Sequence, residues 1–480
     1  CGGGIAAINS YLGLNYITPL IGDATQLLFE ANAAGTNLGK GGGVCLVNSW
    51  ATSWVWRCTF RSNTASRGGG VYFEGTTCFT LNSTFTNNRA GDAGGGAASY
   101  GATCLFSECD FSGNDCRDSG GGIFDRQGGL YVSSSKFRRN SATNSGGAIS
   151  CLLSTSVWLY ANGAPYYTAA NGWPLLLEEN SAGENFGGAI SVQSCGNFLV
   201  QRAAVVSNTA NFGDGIYCYQ TASRFEQCAI AGHTSDYAFV LSSSTGTLMG
   251  CTVAGNNYAM YMSDALVVVS NSILWGNAHL FVTNNNCTIV AAHSDIQGGW
   301  VGPGNINADP RLYPNWHLMH DSPCIDAGAA NPSPEYDADG DARTVGWDMG
   351  CDEFLDSDGD GLPNVVETGT GTNKSEIDMG TNPNNPHSDG DGVPDGEEWM
   401  ADTDPNNASS FLGFIRIWRA PALTVRWTGG VNAERWVEWR GSLATGDWTS
   451  AVHETPPTLR TNEWIPPIGN PIFVRVRAQR

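Results

Sequence analysis

Through the first 300 residues, apolar and polar positions alternate in short runs, and the runs recur. Phe60-Arg61-Ser62-Asn63, Phe85-Thr86-Asn87-Asn88, Phe111-Ser112-Gly113-Asn114 and Phe137-Arg138-Arg139-Asn140 follow one another at Phe-to-Phe spacings of 25, 26 and 26 residues. A glycine run follows each Asn, at 68–70, 94–96, 120–122 and 146–147. Weaker copies end at Asn180 with Gly187-Gly188 and at Asn208 with Gly213, and fading ones end at Asn256 and Asn277. Two residues before each clear Phe stands a small residue: Cys58, Ser83, Cys109 or Ser135. The period-two pattern predicts short strands, and the glycines predict corners with positive φ and close backbone approach.

A unit of this length cannot bury its apolar face alone, but stacked on its copies it can. The repeat therefore predicts an all-β, right-handed parallel β-helix. In it the Phe residues share an internal column, the Asn residues form a corner ladder, and Cys78 stacks on Cys104 and Cys228 on Cys251. About a dozen coils at ~4.8 Å per strand would span roughly 60 Å. A propeller or sandwich would show longer units with regular hairpin signals, which are lacking.

The Phe-x-x-Asn copies, with the Gly-Gly-Ala-Ile motifs at 146–149 and 187–190, resemble the repeats of chlamydial-type polymorphic outer-membrane proteins. That resemblance covers residues 1–300 and implies a surface adhesin, although no C-terminal membrane barrel is present. Asp309-Pro310-Arg311-Leu312, the Ser-Pro-Cys-Ile-Asp-Ala-Gly run at 322–328 and Asp348-Met349-Gly350 resemble the choice-of-anchor end module of secreted bacterial β-helix proteins. Such a module would cap an open coil end, whose strand edges are otherwise unpaired. A Cys324–Cys351 disulfide would close its loop.

Charge separates the next region. Residues 335–404 hold 20 of the 45 acidic residues against only Arg343 and Lys374, so most of the net charge of −21 lies there. Asp356-Ser357-Asp358-Gly359-Asp360-Gly361-Leu362-Pro363-Asn364-Val365-Val366-Glu367 has carboxylates at positions 1, 3 and 5, glycine at 6 and Glu at 12. This is a calcium-loop spacing: alternating oxygen donors wrap a hard cation, without which they repel one another. Asp356, Asp358, Asp360, the Leu362 carbonyl, Asn364 and Glu367 are the expected ligands. A second loop keeps the register with Asp389, Asp391, Val393, Asp395 and Glu398. It begins on His387, a poor calcium ligand, so Asp402 or Asp404 would have to supply a carboxylate. With Thr381-Asn382-Pro383 and Thr403-Asp404-Pro405, this stretch resembles thrombospondin type 3 repeats, which implies a calcium-bound structural spacer. Asp337, Asp339 and Asp341 share the spacing without a later Glu and read as a solvated turn, with a third ion as the alternative.

Four domains are expected: β-helix at 1–308, end module at 309–355, calcium repeats at 356–410 and a small β-sandwich at 411–480. The last contains alternating strands and six of the sixteen Trp. The 40-residue interval from Asn140 to Asn180 exceeds the normal repeat and brings in Trp158, Tyr160, Tyr166, Tyr167 and Trp173. A loop projecting from one coil would offer these to a partner or glycan; packing into the core is the alternative.

The remaining composition narrows the function. With 41% hydrophobic residues the chain can bury a long core. Only three lysines occur and no basic stripe exists, which disfavours nucleic acid. No apolar run is long enough to span a membrane. The 15 cysteines lack zinc spacing, and the suggested disulfide favours an oxidising compartment. No secretion signal is visible, and residues 1–5 read as the middle of a repeat, as expected of a processed or truncated chain. Asp110, Asp125 and Asp214 are scattered, and His233, His279 and His293 fall in separate coils, so no catalytic site is expected; a polysaccharide lyase or hydrolase is the lesser alternative. The expected function is an extracellular or cell-surface structural and adhesive protein, stabilised by calcium. Its uncapped first coil suggests head-to-tail assembly with itself; a monomeric glycan-binding adhesin is the runner-up.

Overall fold

The computed structural model describes residues 3–8, 16–17, 27–35, 38–48, 52–161, 172–330, 336–343, 346–410, 413–418, 424–430, 432–440, 448–456, 461–465 and 473–479. The chain divides into two units, one mainly of residues 1–312 and 316–353, the other mainly of residues 354–480.

The first unit is a right-handed parallel β-helix. Three of its parallel sheets have eleven strands each and a fourth has seven, every strand pairing with its counterpart one coil away. Phe29, Phe60, Phe85, Phe111 and Phe137 stack face to face along the interior, with centroids 4.9, 4.8, 4.4 and 4.8 Å apart. Cys78 aligns with Cys104. Cys228 and Cys251 align too, since Ala229 pairs with Thr252. At the corner each Asn bonds to the next. Asn114 donates from Nδ2 to the Phe85 carbonyl at 2.8 Å and to Asn140 Oδ1 at 2.9 Å, while its own Oδ1 accepts the Asn88 N–H and Nδ2.

Glycine is required at the following corner. Gly94 has φ +64°, and a Cβ on Gly95 would lie 2.4 Å from the Gly121 carbonyl oxygen, so no side chain fits between coils there. The fourth sheet ends at Thr209–Phe212. Beyond it the ladder interval falls to 23 and then 21 residues, which accounts for the fading of the repeat signal. Asp214 closes this turn by accepting N–H groups from Ala210, Ser235 and Asp236 at 2.7, 3.0 and 2.7 Å.

The last coil is covered by residues 298–307, not by the module expected to cap it. Ile306 bridges Asp295 and donates its N–H to the Ser294 carbonyl, while Trp300 packs on Phe281. The module instead lies along one corner of successive coils. Arg202 donates to the Ala338 carbonyl, Arg343 to Gln227 Oε1 at 2.9 Å, Gly350 to the Asn271 carbonyl and Cys351 N–H to Thr252 Oγ1. The expected Cys324–Cys351 disulfide is not formed. Both are free and buried, because Cys324 Sγ turns to Asp295 Oδ2 at 3.5 Å while Cys351 is held beside Thr252.

The aromatic residues assigned to a projecting loop also separate. Trp158 and Tyr160 belong to the strand Ser156–Tyr160 of the second sheet. Trp173 is buried, near Trp316 and His317. Tyr166 and Tyr167 lie outside the described residues.

In the second unit, strands Gly413–Trp418, Thr424–Thr428 and Thr461–Trp464 form one antiparallel sheet. Glu434–Arg440, Thr449–Glu454 and Phe473–Gln479 form another. Val425, Trp427 and Val437 make a shared core. Trp436 instead stacks on His453 and lies under Arg477.

Candidate metal centre

The two acidic loops fold alike because they are written alike. Gly359 and Gly390 both have φ +78°. Asp360 Oδ1 accepts the Leu362 N–H at 2.7 Å, and Asp391 Oδ1 accepts the Val393 N–H at 2.8 Å. A proline then starts a short helical turn, Asn364–Val366 in the first loop and Asp395–Met400 in the second. Each turn is pinned from position 9: Asn364 Oδ1 accepts the Ser357 N–H at 3.0 Å and Asp395 Oδ1 the Ser388 N–H at 2.8 Å.

Position 9 is also where the loops part. Asn364 donates from Nδ2 to Ser357 Oγ at 2.7 Å and so braces its own loop. Asp395 keeps Oδ2 buried without a hydrogen bond, and that carboxylate gathers with Asp360 and Glu367 of the first loop. The close approach needs Gly396, where a Cβ would lie 2.3 Å from the Asp360 carbonyl oxygen.

Asp360 thus belongs to two sets: Asp356, Asp358 and Asp360, and Asp360, Glu367 and Asp395. In each, one donor atom per residue lies within 4.8 Å of the others. Asp389, Asp391 and Glu398 form a further set without Asp395. Neither Asp402 nor Asp404 joins it: Asp402 Oδ2 accepts from Asn432, and Asp404 Oδ1 from Asn406. Leu362 has its side chain buried, and Val393 is half-buried at the equivalent position.

The geometry of these clusters is compatible with a metal ion. Oxygen atoms of Asp358, Asp360, Glu367, Asp389, Asp395 and Glu398 are buried with no hydrogen-bond partner. Burial, reinforced by Asp358, pushes Asp360 up to about 7. Burial with Asp360 and Asp358 pushes Glu367 up to about 8, and burial with Asp389 and Asp391 does the same for Glu398. Unpaired buried carboxylates are costly, and a hard cation would satisfy these oxygens together.

A third acidic group lies in the β-helical unit. Asp337 and Asp339, expected in a solvated turn, are buried. His317, Asp339 and Asp352 gather within the same distance, as do Asp337, Asp339 and Asp341. Burial would lower His317, but Asp339 and Asp352 outweigh it and lift its pKa to about 9.

The acids and histidines of the coils are held in different surroundings. Asp125 points into the core, bonded by Ser154 Oγ at 2.5 Å, and burial raises it to about 6. Asp110 pairs in register with Thr84 and Lys136. His233 replaces an Asn in the corner ladder, its N–H and Nδ1 each 3.0 Å from Asn256 Oδ1. His279 stacks on Tyr258.

Residues 167–311 match the model of a right-handed β-helix region, residues 134–152 a chlamydial polymorphic membrane protein repeat, and residues 388–408 a bacterial TSP3 repeat. No curated protein and no solved structure matches the chain significantly. No helix among the described residues is long and apolar enough to cross a membrane. The chain is a right-handed parallel β-helix solenoid bearing polymorphic-membrane-protein-like and TSP3-like repeat regions.

Proposed function

We propose that this is an extracellular, non-catalytic, calcium-stabilised structural protein that adheres to extended glycans through the outer face of its second sheet. One observation carries the adhesive reading. Trp54, Phe79, Leu105, Tyr131, Trp158 and Leu199 stand in register in consecutive coils, a column about 24 Å long at ~4.8 Å per strand. None of the six is fully buried and Trp158 is 41% exposed. Trp54 stacks on Phe79 at 4.6 Å. Beside it runs a polar row including Thr77, Thr103, Ser156 and Asn197. An apolar row of this kind marks an interaction surface. Pyranose C–H faces lie well on aromatic rings, while adjacent hydroxyl and amide groups can bond sugar hydroxyls. Calcium suits the loops because their donors are carboxylate oxygens.

The test is retention on insoluble β-linked polysaccharides and on a glycan array, comparing the full chain with Trp158→Ala and Tyr131→Ala. Loss of retention in both variants is expected. Sedimentation in calcium examines the assembly reading. Concentration-dependent association that both variants abolish, with no glycan retained by the parent chain, would assign the column to self-contact instead.

A further inference from the structure

The module at 309–353 contains carboxylates that neither the spacer loops nor the aromatic column explains. We propose that Asp337, Asp339 and Asp341 hold a hard divalent cation of the calcium class within the β-helical unit. One donor atom from each lies within 4.8 Å of the others. Asp337 is oriented by four backbone N–H groups: Oδ1 accepts from Asp339, Gly340 and Asp341 at 2.9, 2.8 and 2.8 Å, and Oδ2 from Glu353 at 2.9 Å. Asp339 supplies the observation that points to a ligand. It is 4% exposed, its Oδ2 is bonded to His317 Nε2 at 2.8 Å, and its Oδ1 is buried with no hydrogen bond.

Charge supports the same conclusion. Asp337, Asp339, Asp341, Asp348, Asp352 and Glu353 face His317, Arg202 and Arg343 as the neighbouring cations. Arg343 is shared among the Asp348, Gly350 and Asp352 carbonyls, Gln227 and Glu353. Negative charge remains in excess where solvent scarcely reaches, and a divalent ion would offset it. Oxygen donors at alternate residues favour calcium over a transition metal, and His317 Nε2 is already engaged by Asp339. The ion would fix a turn that is bonded to the coils, since Ala338 accepts from Arg202 and donates to the Cys351 carbonyl. The module at 309–353 would then depend on a cation separately from the spacer.

The test uses the full chain with both spacer loops disabled by Asp360→Asn, which removes a carboxylate from both first-loop sets, and Asp389→Asn. Calcium bound is counted by native mass spectrometry and titrated calorimetrically. One calcium is expected to remain, with calcium slowing amide exchange at residues 337–341. Adding Asp341→Asn should weaken that binding at least tenfold. Asp341 is half-buried, so this exchange leaves the fold in place, as circular dichroism would verify. Asp339→Asn, which retains an oxygen for His317, gives a second variant with the same expected loss. A spacer-disabled chain that binds no calcium, or binds it unchanged after both substitutions, overturns the proposal.

Discussion

The coils and the acidic loops both bury polar side chains, and they satisfy them in opposite ways. In the coils an amide finds its partner in its own copy one turn away. The Asn114 side chain takes part in four hydrogen bonds, to Asn88, Asn140 and the Phe85 carbonyl. In the loops, oxygens of Asp358, Asp360, Asp395 and Glu398 have no such partner. An amide carries donor and acceptor together, so repetition closes its network. A carboxylate only accepts, and copies of it repel. Clustered carboxylates leave oxygens that a cation would satisfy.

That contrast is broken most strongly by removing divalent ions. Chelation should abolish amide-exchange protection across residues 356–410 and leave the strands from Cys58–Arg61 to Thr209–Phe212 protected. Each occupied site contributes about 4 kcal/mol when free ion exceeds its dissociation constant a thousandfold. Equal loss in both regions would show that the ladder is not self-sufficient. Asn114→Ala attacks the other side of the comparison. It strands Asn88 donors and the Phe85 carbonyl in the core, and at ~1–3 kcal/mol for each stranded group it should cost about 4 kcal/mol. Urea unfolding of the coils reads this, and a change below ~1 kcal/mol would mean that the ladder relaxes around the gap.

The two regions were unequally legible in the sequence. The Phe, Asn and Gly spacings repeat, so the fold and the Cys78–Cys104 alignment could be read from them. His233 could not be placed in the ladder, because its role depends on reproducing the bonds of Asn without its shape. The acidic spacing identified Asp356, Asp358, Asp360 and Glu367 as neighbours, but a loop read alone could not show that Asp395 gathers with Asp360 and Glu367 of the other loop. The only local hint was Gly396, standing where the first loop has Val365. Asp337 and Asp339 looked solvated because their burial comes from coils more than a hundred residues earlier, around Arg202 and Gln227. Trp173 was left open between a projecting loop and the core, because its burial near Trp316 and His317 is tertiary.

Ionisation sharpens the comparison within the coils, where two buried groups have opposite pH signatures. Burial raises Asp125 from 3.8 to about 6. The fold therefore prefers its neutral form, and stability falls as pH rises from about 4 to 6 and stays reduced above. Burial lowers His233 from 6.5 to about 4. The fold again prefers the neutral form, so stability is full above 6.5 and falls as pH drops toward 4. Each shift corresponds to about 3 kcal/mol at its unfavourable extreme. Asp125→Asn should raise the melting temperature at pH 7 but not at pH 3.5. His233→Asn should raise it at pH 4.5 relative to the parent, with much less gain at pH 7.5. Identical gains at both pH values would show that packing, not ionisation, governs these positions.

The smallest effect is expected at the shared ninth position of the two loops. Asn364 and Asp395 hold Ser357 and Ser388 in the same way, yet only Asp395 sends a second oxygen toward Asp360 and Glu367. Asn364→Ala removes two half-exposed hydrogen bonds, so it should lower the stability of the second unit by about 1 kcal/mol. Calcium stoichiometry should not change, because the carboxylate sets stay whole. Asp395→Asn keeps an oxygen for Ser388 but removes the negative charge facing the first loop. It should weaken calcium binding there while leaving the Asp389, Asp391 and Glu398 set intact. Calorimetric titration of the two variants side by side separates brace from ligand. If Asn364→Ala reduces the number of ions bound, or Asp395→Asn leaves every affinity unchanged, then each loop closes on its own ion and the two sites are not interlocked.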